Sequence, residues 1–148
     1  MVVMLFLHLA RDEMVDIEYI EEVPGLDPDF FLDWLSKVVS GEQKLLGEVI
    51  IVLGDDEWLR SFNVKYLNHD YYTDIITFDY STNDLVGGDL LISAERVNEN
   101  AVLNGVTFMD ELNRVVVHGV LHLCGFGDKS PTEANQMRQK EDYYLGLL

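Results

Sequence analysis

The sequence predicts an α+β fold: a single domain in which a small mixed sheet of four strands packs with about five helices. Three observations lead there. The 148 residues fit one domain of ordinary size. With 48% hydrophobic and 25% charged residues the chain can bury a core. Strand-like and helix-like segments follow one another in the order β-α-β-α-β-β-α-α-α, without repeats, low-complexity stretches or linkers.

The apolar run Val2 to Leu7 is short, lacks the basic start of a signal peptide and soon reaches Arg11, Asp12 and Glu13, so it reads as the first strand. Asp27-Pro28 supplies an N-cap acid and a proline at the first helical position. Phe30, Phe31, Trp34, Leu35, Val38 and Val39 follow at helical spacing, with Gly41 as a stop. Glu48 to Leu53 is a β-branched run closed by Gly54, a buried strand. Asp55 opens a second helix with Trp58, Leu59, Phe62 and Tyr66 on one side.

The stretch from Asp70 to Tyr80 is rich in strand formers, and Gly88 to Ile92 supplies a neighbouring strand. Ser93 caps a helix that runs to Asn104 and ends at Gly105. Thr107 with Asp110 resembles a capping box for the next helix, which begins near Phe108. Ser130-Pro131-Thr132-Glu133 is another, opening a last helix towards Leu145.

The charge is lopsided, with 10 Lys plus Arg against 27 Asp plus Glu and a formal net charge of -17. That argues against capture of nucleic acid by a broad basic face, which works by displacing counterions from phosphates. It fits a highly soluble cytosolic protein. The single cysteine, Cys124, excludes an intramolecular disulfide and fits a reducing compartment, so a cytoplasmic location is expected. No apolar stretch approaches the roughly 20 residues of a membrane span.

The chemistry concentrates on the helix near Phe108. His118 and His122 lie four residues apart, so both imidazoles project from one face about 6 Å apart at Cβ. Gly125 stops the helix, and the turn can return the carboxylate of Asp128 to the same ion. The flanks Val115, Val116, Val117, Val120, Leu121 and Leu123 are apolar, and two histidines without partners there would be costly to desolvate. A mononuclear metal site in the C-terminal half is expected, with zinc held by His118, His122 and Asp128. Three protein ligands leave a fourth position open for an activated water. The spacing also matches the metalloprotease pattern H-E-x-x-H-x-x-G-x-x-H/D. Position 119 carries glycine where a peptidase has its general-base glutamate, which disfavours peptide hydrolysis.

The run His118-Gly119-Val120-Leu121-His122-Leu123-Cys124-Gly125-Phe126-Gly127-Asp128 closely resembles the YbeY family signature H-G-x-L-H-L-x-G-Y-D-H. Tyr72-Thr73-Asp74-Ile75-Ile76-Thr77-Phe78 is similar to the family's P-T-D-V-L-S-F, and Gly88-Asp89-Leu90-Leu91-Ile92-Ser93 to its G-D-I-x-I-S. The match spans roughly residues 48 to 145. Asp128 replaces the usual third histidine, Gly127 an aspartate, and Leu67 the arginine of a Y-R pair. A carboxylate ligand lowers the charge of the site and should raise the pKa of its water relative to three histidines.

The resemblance implies a zinc-dependent, single-strand-specific endoribonuclease. Such an enzyme would act in maturation of the 16S ribosomal RNA 3′ end and in ribosome quality control, with ribosomal RNA and ribosome components as partners. A rival reading is a ribosome-assembly factor with a mainly structural metal, its acidity attracting basic ribosomal proteins. A metallohydrolase of another substrate is the second rival.

Glu111, two turns before His118, is a candidate to orient a ligand or act on bound water, against a solvated acid at the helix start. Arg114, one turn before His118, is a candidate phosphate contact, against pairing with Asp110 or Glu111. Asp74 and Asp89 are acids in strand segments, where a role in the cleft competes with hydrogen bonding at the sheet edge. His69 and His8 read as ordinary residues, and Cys124 as a core thiol. The pairs Phe30-Phe31, Tyr71-Tyr72 and Tyr143-Tyr144 read as core rather than as stacking platforms for bases.

Overall fold

The computed structural model describes residues 14–148, so the strand expected at Val2 to Leu7 and His8 lie outside the described residues. The described chain forms four strands and five helices: β1 (Met14–Tyr19), α1 (Pro28–Gly41), β2 (Leu45–Gly54), α2 (Asp56–Leu67), β3 (Ile75–Asp79), β4 (Leu85–Ser93), α3 (Ala94–Asn104), α4 (Phe108–Leu123) and α5 (Pro131–Leu145). The sheet order is β1-β2-β4-β3. β1 and β4 run parallel to β2, and β3 is antiparallel to β4. This is the mixed four-stranded sheet with five helices that the sequence predicts.

The first described strand was not expected. In β1, Val15 and Ile17 are buried while Asp16 and Glu18 face solvent. Val15, Asp16, Ile17 and Glu18 alternate with the period two of a half-buried edge strand, but the run is short and its acids are poor strand formers. β2 and β4 each extend beyond the predicted runs. β3 is shorter than the Asp70–Tyr80 stretch, because residues 71–74 leave the sheet as a loop.

The predicted helix starts are all present. Asp27, Asp55 and Ser93 accept backbone N–H groups at the starts of α1, α2 and α3, and Thr107 and Ser130 make complete capping boxes with Asp110 and Glu133. α2 ends at Asn68 in the left-handed conformation rather than at a glycine.

One face of the sheet carries Val49, Ile51, Leu53, Leu90 and Ile92, which join Leu35, Val38 and Val39 of α1 and most of α4 in the main core. Leu91 and Ile76 turn the other way, towards Leu59, Trp58 and Phe62 of α2. Helix α4 is the most deeply packed, with Leu112, Val116, Val117, Val120 and Leu121 fully buried. It can lie this close because of Gly119, where a Cβ would stand 2.7 Å from Ile75 Cδ1 and 2.8 Å from Leu90 Cδ2. Position 119 faces the sheet and has no room for a glutamate.

The aromatic pairs divide differently from expectation. Phe31 and Tyr144 are core residues, but Tyr71, Tyr72 and Tyr143 are 54%, 48% and 64% exposed. The first two ride on the loop before β3 and the third on the outer face of α5. Cys124 is a buried thiol, pushed up to about 11 by desolvation and the nearby Glu42. Among the described residues no helix is long and apolar enough to cross a membrane.

Gly88 lies where β4 runs beside β3 under α4, and a Cβ there would collide with the Phe78 carbonyl and approach Leu123 Cδ2 to 2.9 Å. Backbone cannot yield as a side chain can. Gly88→Ala is therefore expected to destabilise the protein by about 1–3 kcal/mol. Thermal unfolding checks this, and an unchanged midpoint would contradict the packing described.

Candidate metal centre

The site is built by the last two turns of α4, the turn after it and the inner face of α5. α4 places His118 and His122 one turn apart and half-buried. Gly125, at φ +106°, reverses the chain, and Phe126 N–H closes the turn onto the Leu121 carbonyl at 3.1 Å. That reversal brings Asp128 back. Its Oδ2 lies 3.3 Å from His118 Nε2 and 3.4 Å from His122 Nε2, and the two Nε2 atoms are 3.0 Å apart. The three donor atoms lie within 4.8 Å of one another, a grouping that could hold a metal ion.

The other ring nitrogens decide what these atoms present. His122 Nδ1 is 2.7 Å from the Phe126 carbonyl oxygen, and His118 Nδ1 is 2.6 Å from Glu141 Oε2. A carbonyl and a carboxylate only accept, so each Nδ1 carries the proton and donates. In the neutral rings both Nε2 atoms then point lone pairs at each other and at a carboxylate oxygen. Three acceptors that converge without a proton among them repel. A cation relieves this, and the residues present fit one.

Glu141 is the residue that sequence reasoning missed. It is 4% exposed and takes His118 on one oxygen and Arg114 Nη1 on the other, at 2.9 Å. Burial pushes its carboxyl up, but the bonds from His118 and Arg114 outweigh this and hold it below the usual range. Burial likewise opposes the His118 imidazolium, yet Glu141, with Asp128 and Asp74 behind it, raises His118 above its ordinary value. A metal ion needs the neutral ring, so it competes with that proton. The arrangement is a carboxylate–histidine pair of the kind that orients metal ligands. A signal existed: Glu141 shares one face of α5 with the buried Met137 and Tyr144, an odd place for an acid.

Arg114 pairs with Glu141 and, at 2.8 Å, with Asp142 rather than with Asp110 or Glu111. Its fork is engaged. Glu111 is 7% exposed and accepts from Asn104 Nδ2 at 3.4 Å, so it is neither a solvated acid nor one of the three clustered donors. Asp74 stands in the cleft: with His118 and Asp128 it lines both depressions that flank the donor group, of about 320 and 280 Å³. Burial raises its carboxyl, partly offset by His118. Asp89 lines a separate depression with Glu48 and Tyr80. His69 stacks on Tyr71 in the loop. Leu67 borders the second depression. At Gly127, the space a side chain would take is filled by the Glu133 carboxylate.

The family model described as endoribonuclease YbeY matches residues 25–148. The chain belongs to that family. The match begins well before the stretch in which the sequence motifs resemble it. A relative from Flavobacterium johnsoniae named endoribonuclease YbeY is 46% identical over 135 residues, covering 91% of this chain and 97% of the relative. One of the same name from Bacteroides thetaiotaomicron is 44% identical, covering 85% and 92%. The solution structure of TM1509 from Thermotoga maritima superposes with a TM-score of 0.60 at 26% identity, covering 87% of this chain and 86% of that one.

If Glu141 orients His118, Glu141→Gln should weaken metal binding by about 10- to 100-fold while leaving one site per chain. Zinc titration against a competing chelator measures this. Affinity equal to wild type would show that the carboxylate does not support the ligand. In His118→Ala and His122→Ala, stoichiometric metal should be lost.

Proposed function

We propose that the chain is a zinc-dependent endoribonuclease, specific for single strands, that acts in the cytoplasm on ribosomal RNA. The 16S 3′ end and ribosome quality control are its setting, with ribosome components as partners. The observation that carries this is the donor group itself: three converging acceptors, 3.0–3.4 Å apart, on a helix with no peptidase base. Ligands about 2.0–2.1 Å from a tetrahedral zinc would stand roughly 3.3–3.4 Å from one another, which the two Asp128 separations match, while the 3.0 Å between the Nε2 atoms is somewhat shorter. RNA as the substrate rests on membership of a family whose curated relatives bear the name endoribonuclease.

His118, His122 and Asp128 would hold the zinc ion, which would supply Lewis acidity towards water and phosphate. The chain's own residues do the rest. Glu141, held by Arg114, keeps the proton of His118 on Nδ1 and its lone pair on Nε2. The Phe126 carbonyl does the same for His122. Asp74, at the junction of both depressions, is placed to take the proton that an attacking water gives up as its oxygen bonds to phosphorus, and to return it to the leaving ribose oxygen as the P–O bond to that oxygen breaks.

The rival reading, a ribosome-assembly factor with a structural metal, draws on the net charge of -17. Structural zinc sites are closed by four protein ligands, and the group here has three among the described residues. That favours catalysis.

Zinc-loaded protein should cleave single-stranded RNA, lose the activity to a chelator or to His122→Ala, and keep its metal in Asp74→Asn while kcat falls about 10²- to 10⁴-fold. Cleavage that survives unchanged in His122→Ala would reveal a contaminating nuclease and overturn the enzyme reading. In cells depleted of the protein, rescue of 16S 3′-end processing by His122→Ala would favour the binding factor.

A further inference from the structure

The cleft on the α5 side of the donor group is lined by four carboxylates, Asp74, Glu111, Asp128 and Glu141, against two arginines, Arg114 and Arg138. One divalent ion cancels the excess of two negative charges. It leaves nothing over for an RNA phosphate, which in a chain of net charge -17 must still be drawn in. The depression on the opposite side, bordered by Asn63, Leu67, Tyr71 and Thr73, has no cation in its lining. Among the residues that line the two depressions, the permanent cations are Arg114 and Arg138.

Arg114 is spent on Glu141 and Asp142. Arg60 is paired with Glu57 and Asp70, and Arg96 with Asp56 and Glu99. Arg138 alone among the described arginines has no ion-pair or hydrogen-bond partner. It is exposed, on the face of α5 that also carries Ala134, Met137 and Glu141 at helical spacing, all four lining the cleft. The same arginine borders the next depression along, whose walls carry Val106, Leu145 and Leu148 beside the acids Asp110 and Glu111. It sits at the junction of a trough that leads from the donor group past α5.

We infer that Arg138 is the cation that contacts substrate in this cleft, gripping an RNA phosphate beside the scissile one, with the adjoining nucleoside in the depression towards Leu148. This rests on the RNA reading. A guanidinium with all five donors free can take a phosphate bidentately, whereas Arg114 would have to give up the carboxylate that orients His118.

The test uses zinc-loaded full-length protein and a labelled single-stranded oligoribonucleotide, with binding and steady-state cleavage measured across a salt series. For Arg138→Ala, KM and Kd should rise about tenfold or more. kcat should stay within about twofold and zinc content should be unchanged. The slope of log affinity against log salt should shrink by about 0.7, the loss of one phosphate contact to a single strand. Arg138→Lys should recover part of the affinity. Lys37→Ala, which removes the same formal charge from α1 outside the cleft, should leave KM alone. If Arg138→Ala keeps wild-type KM and salt slope, or Lys37→Ala shifts them equally, the assignment of Arg138 fails while the RNA reading stands. If the wild-type protein neither binds nor cleaves the RNA, both fall.

Discussion

Helix α4 is enclosed on nearly every side, and two imidazoles one turn apart are tolerated on it only because each Nδ1–H has a fixed acceptor. For His122 the acceptor is the Phe126 carbonyl, supplied by the turn at Gly125. For His118 it is Glu141, supplied by α5. The rest of the site depends on these two bonds. They set the tautomers, aim both Nε2 atoms at one point and leave Asp128 to close the group. They also tie the turn and the last helix to α4, so the elements that build the site and the elements that finish the fold are the same.

Two opposing electrostatic demands meet in the cleft. Holding a cation calls for carboxylates near the histidines, and the cleft has four; binding an RNA strand calls for the reverse sign. The structure separates the two spatially. Arg114 neutralises the buried Glu141 and is thereby removed from any surface role, while the neighbouring exposed position on α5 carries an arginine with nothing to pair. The overall acidity lies mostly in solvent-facing acids and is compatible with a local site of mixed charge.

Much of the architecture was legible because it rests on short-range chemistry. Capping boxes at Thr107 and Ser130, caps at Asp27, Asp55 and Ser93, and the glycine stop after α3 involve residues within four positions of one another. The grouping of His118, His122 and Asp128 was legible for the same reason, since one helical turn and one reversal connect them. β1 was not, because its alternation is short and built with Asp16 and Glu18, which are poor strand formers. Glu141 reaches α4 only after the chain has turned through α5, beyond the range of local spacing, and Arg138 is brought to the cleft by the same helix. The partner of Arg114 was misjudged likewise: helical spacing offered Asp110 and Glu111, and tertiary packing supplied Glu141 and Asp142. Gly119, read as the absence of a base, proved to be a point of close contact between helix and sheet.

α4, its turn and α5 bring three donor atoms to one point that could hold a single metal ion. Anomalous diffraction at the zinc edge from crystals of the zinc-loaded protein tests it most directly. A single strong peak is expected in bonding contact with His118 Nε2, His122 Nε2 and Asp128, with Glu141 still on His118 Nδ1. A peak elsewhere on the chain, or one that engages the Nδ1 atoms instead, would contradict it.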